Sequence, residues 1–271
     1  MSDTNHIKII TAQAAKPSNI ALVGKVVTNK TKDSDLFQVE QFGKIFMYKI
    51  SDSHTAFRTL MLSQYLLANN IPVPDSKIFI NQNTYFEKYK MIPGITLSEW
   101  LLYDNLSQDK LEKILYETML CEKRIAETKI PNKTIEQQLA LHDVLKQHHK
   151  KDFGKVIANL CYIINKTRKP HGNITLRHAD PNTSNILLDS NGNFKALLDL
   201  DGFALCDEYK MLSQILLFWP NISENKLIEI YESVFQQKLD KNYLQKLTNA
   251  RKQKTKITTT LRKARTLIHC A

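Results

Sequence analysis

The sequence predicts an α+β fold in which a small antiparallel β-sheet region is followed by a mostly helical region. Within residues 1–92, short β-rich runs alternate with polar turns. From Leu97 onward, apolar residues recur at the spacing of amphipathic helices. Inside this helical part, residues 186–198 have a separate strand–turn–strand pattern. We therefore expect two domains, at residues 1–92 and 93–271.

The N-terminal domain opens with three predicted strands. Residues 20–27 are rich in β-forming side chains, and residues 36–41 and 45–50 flank the turn Phe42-Gly43-Lys44. A polar loop at residues 28–34 separates the first strand from the second. This order of strands and turns predicts an antiparallel sheet.

One lysine of the third strand is a candidate phosphate ligand. Ile45, Met47 and Lys49 lie on one face of the strand, because strand side chains alternate between faces. A lysine at the end of an apolar face needs an anionic partner. The alternative is an edge lysine that discourages strand pairing. Lys30 and Lys32 in the preceding loop are also within reach of a phosphate, although a solvated turn explains them equally well.

A helix and two more strands complete the N-terminal domain. Apolar residues at helical spacing predict a helix over residues 55–69, which Asn69-Asn70 closes. The segment Ile71-Pro72-Val73-Pro74 leads into strands at residues 77–80 and 85–91.

Apart from the hairpin, the C-terminal domain has the pattern of consecutive helices. Ser98 and Ser107 are candidate N-caps, because their hydroxyls can accept a hydrogen bond from the first helical turn. Further helices are predicted at residues 134–147, 153–166, 210–219, 224–236 and 243–268. The side chains that invite a metal-site interpretation are His142, His148, His149 and Asp152. No further ligand completes a set, so we interpret them as surface residues.

The chemistry-bearing residues are concentrated in residues 176–201. His178 and Asp180 are followed by Asn185, and then by the predicted hairpin, which ends at Asp199. A hairpin brings its two ends together, so Asn185 and Asp199 are expected side by side with Asp180 just upstream. Carboxylate and amide oxygens that converge in this way suit Mg²⁺ and phosphoryl transfer. The alternative is a polar surface turn with coincidental acids.

This stretch resembles the catalytic and metal-binding loops of the protein-kinase-like superfamily. The form H-x-D-x-x-x-x-N, followed by L-L-D-L-D, is similar to the small-molecule branch: aminoglycoside and macrolide phosphotransferases, choline kinases and lipopolysaccharide-core sugar kinases. The resemblance implies a bilobal kinase-like fold and an ATP- and Mg²⁺-dependent transfer of phosphate to a hydroxyl. It also implies that Lys49 binds the nucleotide phosphates. Adenine would contact the backbone of a hinge near Glu87, Tyr89 and Met91.

The resemblance assigns roles within the loop. Asp180 would position the acceptor hydroxyl and take its proton, while Asn185 and Asp199 would hold Mg²⁺. His178 would brace the loop, and Asn182 lies close enough in sequence to touch the γ-phosphate.

Two further aspartates have open roles. Asp201 competes with Asp199 as the metal ligand, because on a strand their Cβ atoms point the same way, although the L-L-D-L-D register favours Asp199. Asp207 is interpreted as structural, tying the loop to backbone amides, with substrate contact as the alternative.

The sequence departs from the superfamily in two places. The loop at residues 28–34 contains no glycine, which fits the small-molecule kinases better than protein kinases. The helix at residues 55–69 lacks the glutamate that pairs with the strand lysine in the superfamily, and Gln64 is its only long carbonyl side chain. The sequence therefore does not show what orders Lys49.

Composition and charge restrict the other possibilities. Nine of the 38 Lys and Arg residues, and none of the 27 Asp and Glu residues, lie in residues 241–271, so the rest carries 29 basic against 27 acidic side chains. Four scattered cysteines, the absence of a signal segment and the absence of a long apolar run lead us to expect a soluble cytoplasmic protein with reduced thiols.

The acceptor is the least determined property. A polycationic aminoglycoside needs an acidic surface, for which Glu224, Glu229 and Glu232 are candidates. The basic C-terminal helix instead favours an anionic sugar or a membrane surface, unless it is simply a solvated face. The leading interpretation is an aminoglycoside-phosphotransferase-like or choline-kinase-like enzyme, and a kinase of a lipopolysaccharide-core or other anionic sugar is the alternative. A second class is a nucleotide-binding regulator without turnover. The basic C-terminal segment from Lys241 to Lys263 contains a single aromatic residue, Tyr243. This argues against nucleic-acid binding, which uses aromatic side chains interleaved with basic ones.

Overall fold

The structure is a computed structural model that describes residues 25–29, 36–41, 44–51, 53–81, 84–103, 106–128 and 171–269. Several predictions lie outside these residues: Lys30 and Lys32, the helices at residues 134–147 and 153–166, and His142, His148, His149 and Asp152. The described residues form two compact units, one that extends to Pro93 and one that begins at Gly94. Together they confirm the predicted α+β fold, with small antiparallel sheets and helices.

Five strands of the first unit form one antiparallel sheet. They are β1 (Lys25–Asn29), β2 (Leu36–Gln41), β3 (Lys44–Ser51), β4 (Ser76–Asn81) and β5 (Thr84–Lys90). Their order in the sheet is β1-β2-β3-β5-β4, so β5 lies between β3 and β4. The single helix described in this unit, α1 (Ser53–Ala68), connects β3 to β4.

Helix α1 packs on the face of the sheet that carries Tyr85. The rings of Phe57 and Tyr85 lie 5.9 Å apart, and the Ser63 hydroxyl donates to Pro74 O and accepts from the Ser76 N–H. The helix ends where Asn70 takes a left-handed conformation, with φ of 57°. The N–H groups of the two residues after this turn's end, at positions 70 and 71, donate to carbonyls of the final helical turn, which is the Schellman arrangement.

The second unit combines helices with two small sheets. Its elements are β6 (Ile95–Thr96), α2 (Leu97–Tyr103), α3 (Gln108–Glu127), β7 (Thr175–His178), β8 (Ile186–Leu188), β9 (Phe194–Leu197), β10 (Phe203–Cys206), α4 (Glu208–Phe218), α5 (Glu224–Phe235) and α6 (Lys241–His269). β7 pairs with β10, and β8 lies between β6 and β9, all antiparallel. Two 3-10 turns, Thr183–Asn185 and Leu200–Gly202, precede β8 and β10.

The cap residues of these helices follow from their local chemistry. Ser107, Asp207 and Ser223 each accept a hydrogen bond from the third N–H of the helix that follows, at the starts of α3, α4 and α5. α3 packs against β7 and α5, and α4 packs against α6. Leu244 and Thr248 of α6 are buried, and the side chains of α6 beyond Lys256 are not described.

Two of the four cysteines fall within the described residues. Cys121 and Cys206 are both buried free thiols, and burial raises the pKa of the Cys121 thiol to about 12 and that of the Cys206 thiol to about 11. No helix in the described parts of the chain is long and apolar enough to cross a membrane.

Candidate functional site

A single loop and the hairpin after it bring Asp180, Asn185 and Asp199 together. β8 and β9 pair with Ile186 opposite Leu197, and the ladder extends by a 2.8 Å hydrogen bond from the Leu198 N–H to Asn185 O. Asp199 is therefore one residue away from the partner of Asn185. On the other side, the Asn185 amide Nδ2 donates to Asp180 O at 2.9 Å. The predicted hairpin is thus present, and it brings the residues that lead into Asp199 back to the loop that contains Asp180 and Asn185.

His178 braces this arrangement from inside the unit. Its Nε2 lies 2.7 Å from Leu198 O, and its Nδ1 accepts the Asp180 N–H at 3.3 Å. Because a carbonyl oxygen only accepts, Nε2 carries the hydrogen and the ring is neutral with a fixed tautomer. Burial lowers the pKa of the His178 imidazole, and the Leu198 carbonyl and nearby carboxylates oppose that shift only in part. Acid–base work by this ring is therefore not indicated.

Gly202 leaves space for the His178 ring. A Cβ at residue 202 would lie 2.6 Å from His178 Cε1, well inside van der Waals contact. The Phe203 ring also packs against the imidazole, with the two ring centroids 4.7 Å apart. The glycine is required for space and not for an unusual backbone, since its φ is outside the left-handed region.

We expect Gly202→Ala to destabilise the second unit. The added methyl group would overlap the fully buried His178 ring, and overpacking of this kind costs about 1–3 kcal/mol. Urea unfolding followed by circular dichroism measures the change. An unaltered free energy of unfolding would show that the absence of a side chain at Gly202 is not needed to accommodate the His178 ring.

Asp180 is half-buried, and α4 holds the segment around it. Gln214 Nε2 of α4 donates to Asp180 Oδ1 at 3.2 Å. The Trp219 indole N–H donates to Pro181 O at 2.8 Å. Sequence analysis did not identify Gln214 or Trp219, because neither lies in the motif and only the packing of α4 brings them to the loop.

Asn182 serves as a local cap. Its side-chain Oδ1 accepts the Ser184 N–H at 2.9 Å, and its carbonyl accepts the Asn185 N–H at 3.0 Å, at the start of the first 3-10 turn. These bonds shape the loop between Asp180 and Asn185. The γ-phosphate contact predicted for Asn182 stays a prediction.

The prediction that Asp199 and Asp201 share a strand is wrong. β9 ends at Leu197, Asp199 has a left-handed backbone with φ of 54°, and Asp201 lies in the second 3-10 turn. Aspartate tolerates this conformation better than most residues. The alternation of a strand therefore does not relate the two carboxylates. Asp199 is exposed, and its side chain makes no capping hydrogen bond to the turn that follows.

The oxygen ligands near this turn suit a hard cation such as Mg²⁺. Because Nδ2 of Asn185 is used by Asp180 O, its amide Oδ1 is the atom that remains to accept or to ligate. Asp199 adds an exposed carboxylate to the same place. No cluster of three or more His, Cys, Asp or Glu side chains that could hold a metal occurs among the described residues. A single carboxylate with an amide oxygen fits Mg²⁺, which takes its other ligands from phosphates and water.

Asp207 links the end of β10 to two backbone amides. Its Oδ1 accepts the Lys210 N–H at 3.0 Å and its Oδ2 accepts the His171 N–H at 3.4 Å. The carboxylate is buried and occupies the N-cap of α4. These contacts are structural ones.

In the first unit, Lys49 lies directly opposite Glu87. The two are paired residues of β3 and β5, so their side chains occupy the same face with Cβ atoms about 5 Å apart. Glu87 is fully buried, and its two carboxylate oxygens accept from the hydroxyls of Ser51 and Tyr89. α1 supplies no acid, but a neighbouring strand places one beside the lysine.

The register corrects part of the predicted hinge. Glu87 and Tyr89 have strand partners on both sides, in β3 and in β4, so their backbone groups belong to the sheet ladders. They are not available for adenine at those positions. Met91 lies beyond the last residue of β5, where the ladders have ended.

Comparison with known proteins identifies the fold through solved structures. No family model matches the sequence, and a search of curated proteins finds no match. Solved structures do match. One is an aminoglycoside-3′-phosphotransferase of type VIII, with a TM-score of 0.57, 14% identity, and coverage of 83% of this chain and 92% of that one.

Two other solved structures extend the comparison. A spectinomycin phosphotransferase in complex with ADP and spectinomycin has a TM-score of 0.57 and 15% identity, over 88% of this chain and 79% of that one. A microcompartment-associated aminopropanol kinase has a TM-score of 0.50 and 13% identity, over 80% of this chain and 77% of that one. The chain therefore has the kinase-like fold of the small-molecule phosphotransferases.

Proposed function

We propose that this chain, which has the fold of small-molecule kinases, is a phosphotransferase that uses ATP and Mg²⁺ and transfers the γ-phosphoryl group to a hydroxyl of a small molecule. One observation carries the proposal: at one end of the β8–β9 hairpin, Asn185 is hydrogen-bonded both to Asp180 and to Leu198, the residue that precedes Asp199. The ADP bound to the spectinomycin phosphotransferase supports a nucleotide as the donor.

In this proposal, Asp180 orients the acceptor hydroxyl and receives its proton. The hydrogen bond from Gln214 leaves the second oxygen of Asp180 for the acceptor, and the half-buried position keeps the carboxylate in contact with solvent. Because the transition state of phosphoryl transfer is loose, orientation matters more than base strength. His178 and Asn182 hold the loop in shape.

Asn185 and Asp199 would hold the Mg²⁺ ion, and the ion would neutralise charge on the phosphates. The chain's own contribution is the pairing of the two backbone segments, because the hydrogen bond from the Leu198 N–H to Asn185 O holds the residue before Asp199 against Asn185. Lys49 would bind the nucleotide phosphates.

For the acceptor, the charge distribution favours a neutral or anionic hydroxyl compound such as a sugar. The acidic surface considered for an aminoglycoside is already neutralised in part: Glu229 pairs with Lys226 at 3.0 Å and Glu232 with Lys238 at 2.6 Å. The face of α4 that touches Asp180 carries Lys210, Gln214 and the exposed ring of Phe218, spaced four residues apart. These three residues provide no carboxylate for an amine.

A screen of ATP consumption tests the proposal. We would compare core sugars, sugar phosphates, aminoglycosides, macrolides and choline-like amines, with Asp180→Asn as the blank. Acceptor-dependent ADP release with a sugar or sugar phosphate is the expected result. Tight nucleotide binding with no turnover on any acceptor would instead indicate a regulator.

Glu87 gives a further prediction within the first unit. We expect Glu87→Gln to raise the KM for ATP about tenfold or more, because a buried charge-assisted interaction is worth about 1.5–3 kcal/mol. In this proposal Glu87 holds Lys49, which lies across from it in the β3–β5 ladder. Asp75→Asn, which changes an exposed acid of the same unit, is the control. Equal KM values for the Glu87 variant and the wild type would contradict the role.

A further inference from the structure

A buried glutamate of α3 contacts β7, the strand that ends at His178. Glu122 is completely buried, and its Oε2 accepts the backbone N–H of His178 at 3.2 Å. It does not belong to the motif of residues 176–201, and sequence analysis did not identify it. The residue that it contacts is the one that braces both Asp180 and Leu198.

The strand geometry explains why His178 needs an acceptor there. Among the described strands, β7 pairs with β10 alone, and His178 lies opposite Phe203. The next bond of the ladder runs from the Ala179 N–H to Gly202 O, so the pair at His178 is a non-hydrogen-bonded one. The N–H of His178 therefore points away from β10, toward α3. An unpaired buried N–H is costly, and the Glu122 carboxylate satisfies it.

A buried guanidinium accompanies this carboxylate. Arg177, which precedes His178, is only 2% exposed, and its Nη2 lies 3.7 Å from Glu208 Oε2 of α4. Its guanidinium also lies 5.3 Å from the ring centroid of Phe235 of α5. Burial raises the pKa of Glu122 to about 8, while Arg177 and the His178 N–H act in the opposite direction. Helices α3, α4 and α5 thus meet polar groups on one strand.

Several atoms of this cluster retain hydrogen-bonding capacity. Within the described part of the chain, Glu122 Oε1, Arg177 Nε and Arg177 Nη1 are buried without a hydrogen-bond partner. A fully hydrogen-bonded salt bridge therefore does not explain why an acid is buried at residue 122. The hydrogen bond that its carboxyl group makes is the one from the His178 N–H of β7. An apolar residue of similar volume would avoid the desolvation cost of a buried acid.

We propose that Glu122 is a positioning residue, which fixes His178 through its backbone N–H and thereby sets the relative placement of Asp180 and Asp199. The inference rests on the proposed phosphotransferase function. The His178 ring contacts the loop of Asp180 through Nδ1 and the residue before Asp199 through Nε2. A shift of the His178 backbone therefore moves both ends of the site, and small misplacements of reacting groups have large effects on rate.

Three variants separate positioning from bulk stability. Glu122→Gln keeps an acceptor oxygen at the same reach, so we expect kcat close to the wild-type value. Glu122→Leu removes the acceptor, and Glu122→Asp keeps the carboxyl group but withdraws it by one methylene group. For both of these, we expect kcat to fall by about 10- to 100-fold with the KM for ATP nearly unchanged. If the Leu variant does not fold, the Asp variant still tests the inference.

A matched control comes from the same helix. Thr118 is also completely buried in α3, but its hydroxyl donates to Ile114 O of the same helix at 2.8 Å. Thr118→Val therefore changes a buried polar side chain of α3 whose hydrogen bond stays within the helix. Equal losses of kcat in the Thr118 and Glu122→Leu variants would overturn the inference, as would a Glu122→Asp enzyme with wild-type kcat.

A second readout does not depend on turnover. The backbone amide of His178 in the isotope-labelled full chain reports the hydrogen bond directly, through its NMR shift and its hydrogen-exchange protection. In Glu122→Gln, we expect the NMR shift and the exchange protection of this amide to stay as in the wild type. In Glu122→Asp, we expect the shift to change and the protection to be lost. If the wild-type protein transfers phosphate to no acceptor, the proposed function fails, whereas an unchanged His178 amide in Glu122→Asp refutes the contact made by Glu122.

Discussion

Asp180→Asn is expected to lower kcat for phosphoryl transfer by about 10²- to 10⁴-fold, the usual contribution of a positioned proton acceptor. The asparagine side chain has the same shape and can still accept the hydrogen bond that Gln214 donates to Asp180 Oδ1. The loop should therefore keep its form, and the affinity for Mg²⁺–ATP should change little. Steady-state ADP release with the best acceptor from the screen gives kcat, and isothermal titration gives the nucleotide affinity.

A matched control for this variant is Asp109→Asn, which removes an exposed carboxylate from the first turn of α3. We expect its kcat to equal that of the wild type. If Asp180→Asn is as active as Asp109→Asn, Asp180 does not accept the proton and the assignment of the catalytic loop fails.

Asp199→Asn is expected to abolish the metal-dependent part of nucleotide binding. The variant removes the exposed carboxylate that we assign to Mg²⁺, and charge neutralisation by a bound cation is worth several kcal/mol. At about 1.4 kcal/mol per decade, the corresponding loss is roughly a thousandfold. Asparagine also tolerates the left-handed backbone observed at residue 199, so the fold should be preserved. ATP affinity measured with Mg²⁺ and with EDTA gives the metal-dependent difference.

Asp201→Asn distinguishes the two candidate carboxylates. It removes the same charge two residues away, from inside the 3-10 turn. We expect it to retain Mg²⁺-dependent ATP binding. If Asp201→Asn loses that binding and Asp199→Asn keeps it, the metal ligand is Asp201, and the assignment made here is wrong.

The sequence by itself was sufficient for the motif and for most of the local elements among the described residues, although α2 begins at Leu97, so Ser98 is not its N-cap. Ser107 was predicted as an N-cap and caps α3, because capping depends only on neighbours within one turn. The hairpin around residues 189–193 follows from its turn residues, and Asp189 accepts the N–H groups of Asn191 and Asn193 there. The kinase-like fold could be predicted because motif spacing and element order agreed.

The tertiary structure alone decided which distant residues meet. Glu87 lies opposite Lys49 because of strand register, which no helix-based pattern specifies. Glu122 reaches His178 across 56 residues of sequence, and Gln214 reaches Asp180 across 34. Asp199 lies outside the predicted strand because the chain turns at that residue into a 3-10 turn. Periodicity and propensity act over a few residues, whereas these contacts depend on how packed elements are placed, and only burial and long-range hydrogen bonding fix that placement.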